Sequence, residues 1–355
     1  MCSCIVCQVM HHIGILGAGG ISDTHARAAA ALPNVRVSAV CGSNAAKVEA
    51  LANRYGAAAF TDVAAFLAHK PMDIVAIGSP SGLHADQGVM AAAAGLHLYV
   101  EKPIDVTTAK ADALIAAAER AGVKIAVCFQ DRNNPRLSTV KQWIDGGVIG
   151  EPRLVSARVK WYRPPEYYAQ SKWRGTRTLD GGGALMNQGI HTVDLLLWWL
   201  GDVVRVSAKS GALVHKIEVE DTIVGWLEFA NGAIGTLEAT TAAYPGYPRR
   251  VEVTGTRGTV SIEQDRIVGC DVRDAPPEVA AAMAAQDGDQ NAQAASAIVS
   301  DARGHQRILE DLLDAIETGR PPRCDGHEGR RSVAVVEALY ESAKTGRPVD
   351  VSRKK

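Results

Sequence analysis

From Ile13 onward, short runs of apolar β-type residues alternate with alanine-rich stretches of helical period. The apolar runs cover 13–16, 35–40, 74–77, 96–100 and 124–129. Helical candidates lie between them at 22–32, 45–54, 63–68, 84–94 and 108–121. Strands without polar alternation are buried on both faces, and helices of this length between them connect parallel neighbours. The pattern predicts an α/β fold whose first domain, residues 13–131, is a doubly wound parallel sheet.

After Arg132 the period changes. Alternating segments appear at 153–160, 203–214, 222–229, 233–240 and 249–262, and Asn231-Gly232 reads as a hairpin turn between two of them. Alternation means one covered and one open face. The expectation for 132–355 is an α+β domain on a large open, mostly antiparallel sheet, with one helix inserted near 184–200. Two further helices close the chain. One spans 305–318, with Ile308, Leu309, Leu312, Leu313 and Ile316 on one face, and the other spans 331–345; Gly319 and Gly346 supply the stops. The alanine- and glutamine-rich stretch 276–303 reads as helical, and residues 1–12, outside the pattern, as a disordered tail.

A chain of 355 residues suits two domains, and 47% hydrophobic against 22% charged residues is a normal globular balance. The 38 basic and 39 acidic residues leave a net charge of -1, so no field holds a polyanion and nucleic acid is not an expected partner. The longest run of large apolar residues, 195–200, falls far short of the roughly 20 that a bilayer crossing needs. No basic leader with an apolar core opens the chain, so the cytoplasm is the expected compartment. Four of the seven cysteines, Cys41, Cys128, Cys270 and Cys324, are scattered singly, which suits free thiols in a reducing compartment. Cys2, Cys4 and Cys7 precede His11 and His12, but no second Cys or His pair follows at zinc-site spacing. No metal is expected.

The first strand runs into Gly17-Ala18-Gly19-Gly20-Ile21-Ser22, a variant of the dinucleotide fingerprint. Gly17 permits the tight turn, Gly19 lets backbone approach a pyrophosphate, and the N-terminus of the next helix aims N–H groups at it; Gly20 and Ile21, just before that helix, are counted with these cofactor contacts. An NAD enzyme usually places an acid on the ribose diol after the second strand. Here the chain reads Gly42-Ser43-Asn44-Ala45-Ala46-Lys47. A small residue at Gly42, hydroxyl and amide groups at Ser43 and Asn44, and a cation at Lys47 suit a 2′-phosphate better than a bare diol, which tilts the expectation from NAD to NADP.

Ser79-Pro80, with His84 beyond it, and Glu101-Lys102-Pro103 both stand at carboxyl ends of predicted parallel strands, the edge where such sheets bind ligands. A lysine leaving a buried strand is an odd choice for structure alone, which points to a functional Lys102. A third constellation follows Asp180-Gly181-Gly182-Gly183. If the chain is helical from Ala184, then Asn187, His191, Asp194 and Trp198 share one face.

These three motifs, in this order and spacing, resemble the Gfo/Idh/MocA family of NAD(P)-dependent sugar and cyclitol oxidoreductases, over nearly the whole chain. The resemblance implies a cleft between a Rossmann domain and an open-sheet domain, a small-molecule sugar substrate, and a homodimer or homotetramer. It also implies a lysine and a histidine at the reacting carbon, which map onto Lys102 and His191. Cofactor contacts map onto Ser79, Pro80, His84, Glu101 and Lys102 beside the glycines. Many members carry Asp four residues before the histidine; this chain has Asn187, which orients an imidazole without supplying charge.

Arg158, Lys160, Arg163, Lys172, Arg174 and Arg177 face a single acid, Glu166, between Arg158 and Arg177. A charge run is usually a solvated face, but this one leads into the glycine-rich segment, so Trp173 and Arg174 are counted with the cofactor contacts. With Asn187, the segment resembles that of family members acting on nucleotide-linked sugars such as UDP-N-acetylglucosaminuronate. The aromatics Trp161, Tyr167, Tyr168 and Trp173 suit a sugar wall, a core or an interface equally. The expected reaction moves a hydride between a secondary alcohol and nicotinamide, with His191 at an ordinary pKa of about 6.5 as base and the Lys102 ammonium stabilising the alkoxide. A sugar or NAD(P) sensor on the same fold, and an NAD-dependent glycosidase, are the rivals. Retained proton-transfer residues argue against the sensor, and net nicotinamide turnover separates the glycosidase.

Overall fold

In the computed structural model, which describes residues 9–284 and 301–352, the apolar runs form a wholly parallel sheet. Its strands are β1 (His11–Leu16), β2 (Val35–Cys41), β3 (Ala58–Phe60), β4 (Ile74–Ile77), β5 (His97–Val100) and β6 (Ile125–Val127), in the order β3-β2-β1-β4-β5-β6. The edge strand β3 escapes the pattern because three residues are too few to show a period. β1 starts two residues earlier than predicted: the His11 N–H donates to Asn34 O at 2.9 Å and the His12 N–H to Asp73 Oδ2 at 2.8 Å. Both histidines therefore belong to the sheet and not to a tail. Cys2, Cys4 and Cys7 lie outside the described residues.

The second sheet comprises β7 (Pro152–Lys160), β8 (Val203–Gly211), β9 (Thr222–Phe229), β10 (Ile234–Thr240), β11 (Arg250–Gly255), β12 (Gly258–Glu263), β13 (Arg266–Val272) and β14 (Val349–Asp350). Their order is β13-β12-β11-β7-β10-β9-β8-β14, antiparallel except where β7 meets β10. The predicted segment 249–262 is thus a hairpin, β11 and β12, turning at Thr256 and Arg257. The Asn231-Gly232 turn forms as expected, with Gly232 at φ +84° and the Asn231 Oδ1 accepting from the Ala233 N–H. Along β9, Ile223 and Leu227 are buried while Val224 and Trp226 stay exposed, as alternation requires.

The closing helices tie the two sheets together. Helix Arg303–Thr318 sets Ile308, Leu309, Leu312 and Leu313 into one core with Ile13, Ile15 and Val37 of the first sheet. Helix Gly326–Thr345 begins earlier than predicted because Asp325 caps it, its Oδ1 accepting from the Glu328 N–H at 2.9 Å. Gly319 and Gly346 end these helices in left-handed conformation. Of the stretch 276–303, Pro277–Ala284 is helical and 285–300 lies outside the described residues. Among the described residues no helix is long and apolar enough to cross a membrane.

Candidate active site

Strand order reverses between β1 and β4, and at that switch point the carboxyl ends of the strands open a crevice suited to ligands. Gly17 follows β1 at φ +126°, where a Cβ would lie 2.7 Å from Gly78 O and 2.6 Å from Ser22 Oγ, so only glycine fits. At Gly19 and Gly20 a Cβ would meet nothing within 4 Å. Both are exposed, and helix Gly20–Ala30, with Ile21 in its first turn, has no side-chain cap over its leading N–H groups. An open glycine cradle at a free helix N-terminus fits a dinucleotide pyrophosphate. After β2, Gly42 packs beside Val48 and Ala18, leaving Ser43 and Lys47 exposed. The Asn44 side chain is spent as a helix cap, accepting from the Lys47 N–H at 3.1 Å.

After β4, the Ser79 hydroxyl donates to Gln87 Oε1 at 2.6 Å, next to Pro80. His84 is buried, with its ring nitrogens 2.8 Å from Pro103 O and 3.0 Å from Ser79 O. The imidazole therefore ties the loop after β4 to the loop after β5. Beyond β5, Glu101 points into the core and Lys102 into the cleft, as neighbours on an extended chain must. Glu101 Oε1 accepts from the Nε2 of His25 and of His305, each at 2.9 Å, and its Oε2 from the Lys102 N–H at 3.2 Å. Burial pushes this carboxyl up, but the two imidazole bonds outweigh it and hold it well below the usual carboxylate range. Cys128 completes the cluster, in which one ligand atom of each residue lies within 4.8 Å of the others. Imidazole hydrogen bonds on a carboxylate already occupy its centre, so the cluster braces the strand end that carries Lys102.

From the opposite domain, the glycine run admits close neighbours. A Cβ on Gly182 would lie 2.1 Å from the Tyr340 hydroxyl, and one on Gly183 1.9 Å from Glu220 O. The predicted single helix from Ala184 does not form: Ala184–Gly189 is a wider π-type turn, followed by helix Ile190–Leu200. External acceptors take its leading N–H groups. Glu220 accepts from Gly183 N at 3.0 Å and Leu185 N at 2.8 Å, and the Tyr340 hydroxyl from Met186 N at 3.2 Å. Wide turns of this kind concentrate at functional sites.

This turn delivers Asn187 to the lysine. Lys102 Nζ donates to Asn187 O at 2.8 Å, while Asn187 Nδ2 donates to Asp180 Oδ1. Burial lowers the Lys102 pKa from its ordinary value, and the charges of Glu101 and Asp180 partly restore it. His191 has no hydrogen-bond partner among the described residues and meets Phe129 edge-on at 5.7 Å between ring centroids. Desolvation, then the charge of Lys102, pushes its imidazole down to about 3. The expectation of an ordinary histidine pKa is therefore corrected. Asp194 keeps its place three residues beyond His191 on helix Ile190–Leu200, where the Arg132 guanidinium grips it at 2.9 and 2.8 Å, while Asn187 falls in the π-type turn, outside that helix. That pair pins the His191 helix to the segment after β6.

A second group of side chains adjoins Asn187. Arg163, 3% exposed, donates from Nη2 to Gln188 Oε1 at 3.1 Å and from Nη1 to Tyr162 O at 3.0 Å. Gln188 Nε2 in turn donates to Asn187 Oδ1 at 2.9 Å and to the Tyr167 hydroxyl at 3.1 Å. The Arg174 guanidinium stacks 4.1 Å from the Tyr167 ring centroid and 5.5 Å from that of Trp173. Among the described residues neither Arg163 nor Arg174 pairs with a carboxylate, whereas Lys160 meets Glu238 at 3.0 Å. Desolvation lowers the Arg163 pKa, the mark of a buried cation short of negative charge. The structure thus brings Lys102, Asn187 and His191 together and sets Trp173 and Arg174 beside Tyr167. Sequence reasoning missed Asp180 and Gln188 as site residues. An acid immediately before a glycine run was the signal available for Asp180.

Two family models match, one described as an oxidoreductase family, NAD-binding Rossmann fold, over residues 11–129, and one as a GFO/IDH/MocA C-terminal domain over residues 137–261. The inositol 2-dehydrogenase of Rhizobium meliloti (strain 1021) is 28% identical over 347 residues, covering 96% of this chain and 98% of its own. The D-glucoside 3-dehydrogenase of Escherichia coli (strain K12) is 28% identical over 362 residues, covering 96% and 97%. Among solved structures, the WlbA dehydrogenase from Bordetella pertussis, in complex with NADH and UDP-GlcNAcA, superposes with a TM-score of 0.88. It is 30% identical and covers 98% of this chain and 99% of that one.

Proposed function

Because the chain belongs to the GFO/IDH/MocA oxidoreductase family, we propose that its cleft oxidises a secondary alcohol on an anionic, nucleotide-linked sugar, or reduces the corresponding ketone. One observation carries the choice of substrate: Arg163 and Arg174 stand over Tyr167 with no carboxylate in ion-pair contact among the described residues, and Arg163 connects through Gln188 to Asn187. Guanidinium forks of this kind suit a carboxylate or phosphate. The UDP-GlcNAcA held by the Bordetella relative carries both kinds of group, which supports the same reading.

When bound, a nicotinamide supplies the hydride acceptor, and Gly17, Gly19, Gly20 and the N-terminus of helix Gly20–Ala30 hold the nucleotide. In the oxidation direction the substrate O–H proton passes to the Lys102 amine as the carbonyl forms. Lys102 suits that task better than His191, because burial moves the amine toward neutral pH while the imidazole drops too low to be an effective base. Neutral His191 then acts as a hydrogen-bonding group on the same oxygen. Asn187 sets the direction of the lysine by accepting from Nζ.

The lack of an acid after β2 and the exposure of Ser43 and Lys47 favour NADP over NAD. Exposed Leu154, Val224, Trp226 and Ile234 on the open face of the second sheet support a homo-oligomer, a dimer or tetramer. Free Cys41, Cys128, Cys270 and Cys324 support a cytoplasmic setting. The test is the change in absorbance at ~340 nm, the nicotinamide signal of a dehydrogenase, when the purified protein meets UDP-GlcNAcA with NADP or NAD. Turnover of this anionic sugar in preference to neutral myo-inositol is the expected result. Turnover of the neutral cyclitol alone would overturn the substrate class.

A further inference from the structure

We propose that Asp180 is a positioning residue for Lys102, the carboxylate that stands in for the acid absent at Asn187. The inference rests on the reading of Lys102 as the proton acceptor. Asp180 is 2% exposed at the end of the loop before the glycine run. Its Oδ2 accepts from the Gly175 N–H at 2.7 Å and its Oδ1 from Asn187 Nδ2. Asn187 is thereby held at both ends, by Asp180 at Nδ2 and by Gln188 Nε2 at Oδ1, with its backbone oxygen on Lys102 Nζ. An acid at 187 would present its charge from the turn itself. Here an amide occupies the turn, and the charge sits one hydrogen bond behind it.

The surroundings of Asp180 make that charge count. Lys102 and Arg174 are the cations that act on it, and the Tyr168 and Tyr340 hydroxyls stand near. Burial pushes the carboxyl up to about 6, against the pull of the Gly175 N–H, Asn187 and the two cations. Above that pH the ionised Asp180 offsets part of the desolvation that lowers the Lys102 pKa. Asp180 therefore does two things through one contact: it fixes Asn187, and it limits how far the lysine falls.

Lys102 can be titrated directly, with neither substrate nor cofactor, so failure of the dehydrogenase assay would leave this test standing. Full-length wild type, Asp180→Asn and Asp180→Glu are pulsed with acetic anhydride across a pH series, and acetylation is read at Lys102 by peptide mass spectrometry, with exposed Lys47 as reference. Removing an opposite charge should shift the Lys102 titration down by roughly one pH unit in Asp180→Asn. Asp180→Glu should keep it near the wild-type position, and Lys47 should not move. An unmoved Lys102 titration in folded Asp180→Asn would overturn the proposal. If that variant does not fold, wild type decides: the logarithm of Lys102 reactivity should rise with less than unit slope around pH 6, where Asp180 ionises, and unit slope throughout would overturn it.

Discussion

Lys102 Nζ lies 2.8 Å from the backbone oxygen of Asn187, so a side chain leaving the first sheet is anchored on the π-type turn of the second domain. The contact makes the reacting centre a joint product of both sheets. Glu101, pinned by two histidines, fixes the root of the lysine, and Asn187 fixes its tip. An amine restrained at both ends gives up little freedom when substrate arrives, which is how positioning contributes to rate.

Replacing Lys102 by Met should lower turnover by roughly 10²–10⁴-fold while leaving nucleotide affinity nearly unchanged. His191→Ala should lose about 10²–10³-fold, the loss of one hydrogen bond to a charge-bearing oxygen. In the oxidation direction turnover should rise with pH until Lys102 has lost its proton, because the neutral amine is the active form. His191, neutral above about pH 3, should add no break near pH 6.5. A pH–rate profile with such a break, absent in His191→Ala, would return the base role to the imidazole.

Much of this was legible along the chain, and the remainder has identifiable causes. Apolar runs flanked by helical stretches announced five of the six parallel strands, because strands buried on both faces cannot hide their composition. Lys102 stood out for the opposite reason, as a charge at the end of such a run. The π-type turn at Ala184–Gly189 was not legible, since what diverts its N–H groups is Glu220 and Tyr340, far away in sequence. The depressed pKa of His191 has the same origin in surroundings that spacing does not reveal. β13 went unseen because Arg266, Asp271 and the glycine at 269 break its alternation.

The glycines of the first turn should separate folding from binding. Gly17→Ala places a Cβ against Gly78 O at positive φ, so it should cost about 1–3 kcal/mol of stability in a denaturant melt. Gly19→Val meets no atom near its Cβ and should melt like wild type. It should nevertheless weaken nicotinamide nucleotide binding, read by fluorescence titration, by ~10-fold or more, since ~1.4 kcal/mol of lost phosphate contact suffices for that. Undiminished binding in Gly19→Val would move the pyrophosphate away from this turn.

Acid stability tests the brace behind Lys102. The folded Glu101 carboxyl is held below its unfolded value, so its contribution is present above the unfolded pKa and disappears as pH falls through the folded one. Glu101→Gln, which cannot carry that charge, should therefore melt below wild type at pH 7, and the gap should close as the pH is lowered into the acid range. A gap that is constant with pH would mean that packing, not the ionised bond to His25 and His305, accounts for the loss.

The guanidiniums over Tyr167 give the sharpest check on the kind of substrate. Arg163 is buried, bonded to Gln188 and Tyr162, and without a carboxylate among the described residues, so its full positive charge remains available to an incoming anion. A charged hydrogen bond is worth about 1.5–3 kcal/mol, which corresponds to roughly 10–150-fold in binding. Arg163→Leu and Arg174→Leu should each raise the KM for an anionic sugar within that range. Arg174→Leu should leave turnover at saturation close to wild type, since its guanidinium contacts Tyr167 and Trp173 and not Lys102 or Asn187. Arg163→Leu should lower it further, because Gln188 loses the donor that steadies it against Asn187. Equal losses for an anionic and a neutral sugar would show that the two arginines support the fold around Tyr167 without reading charge.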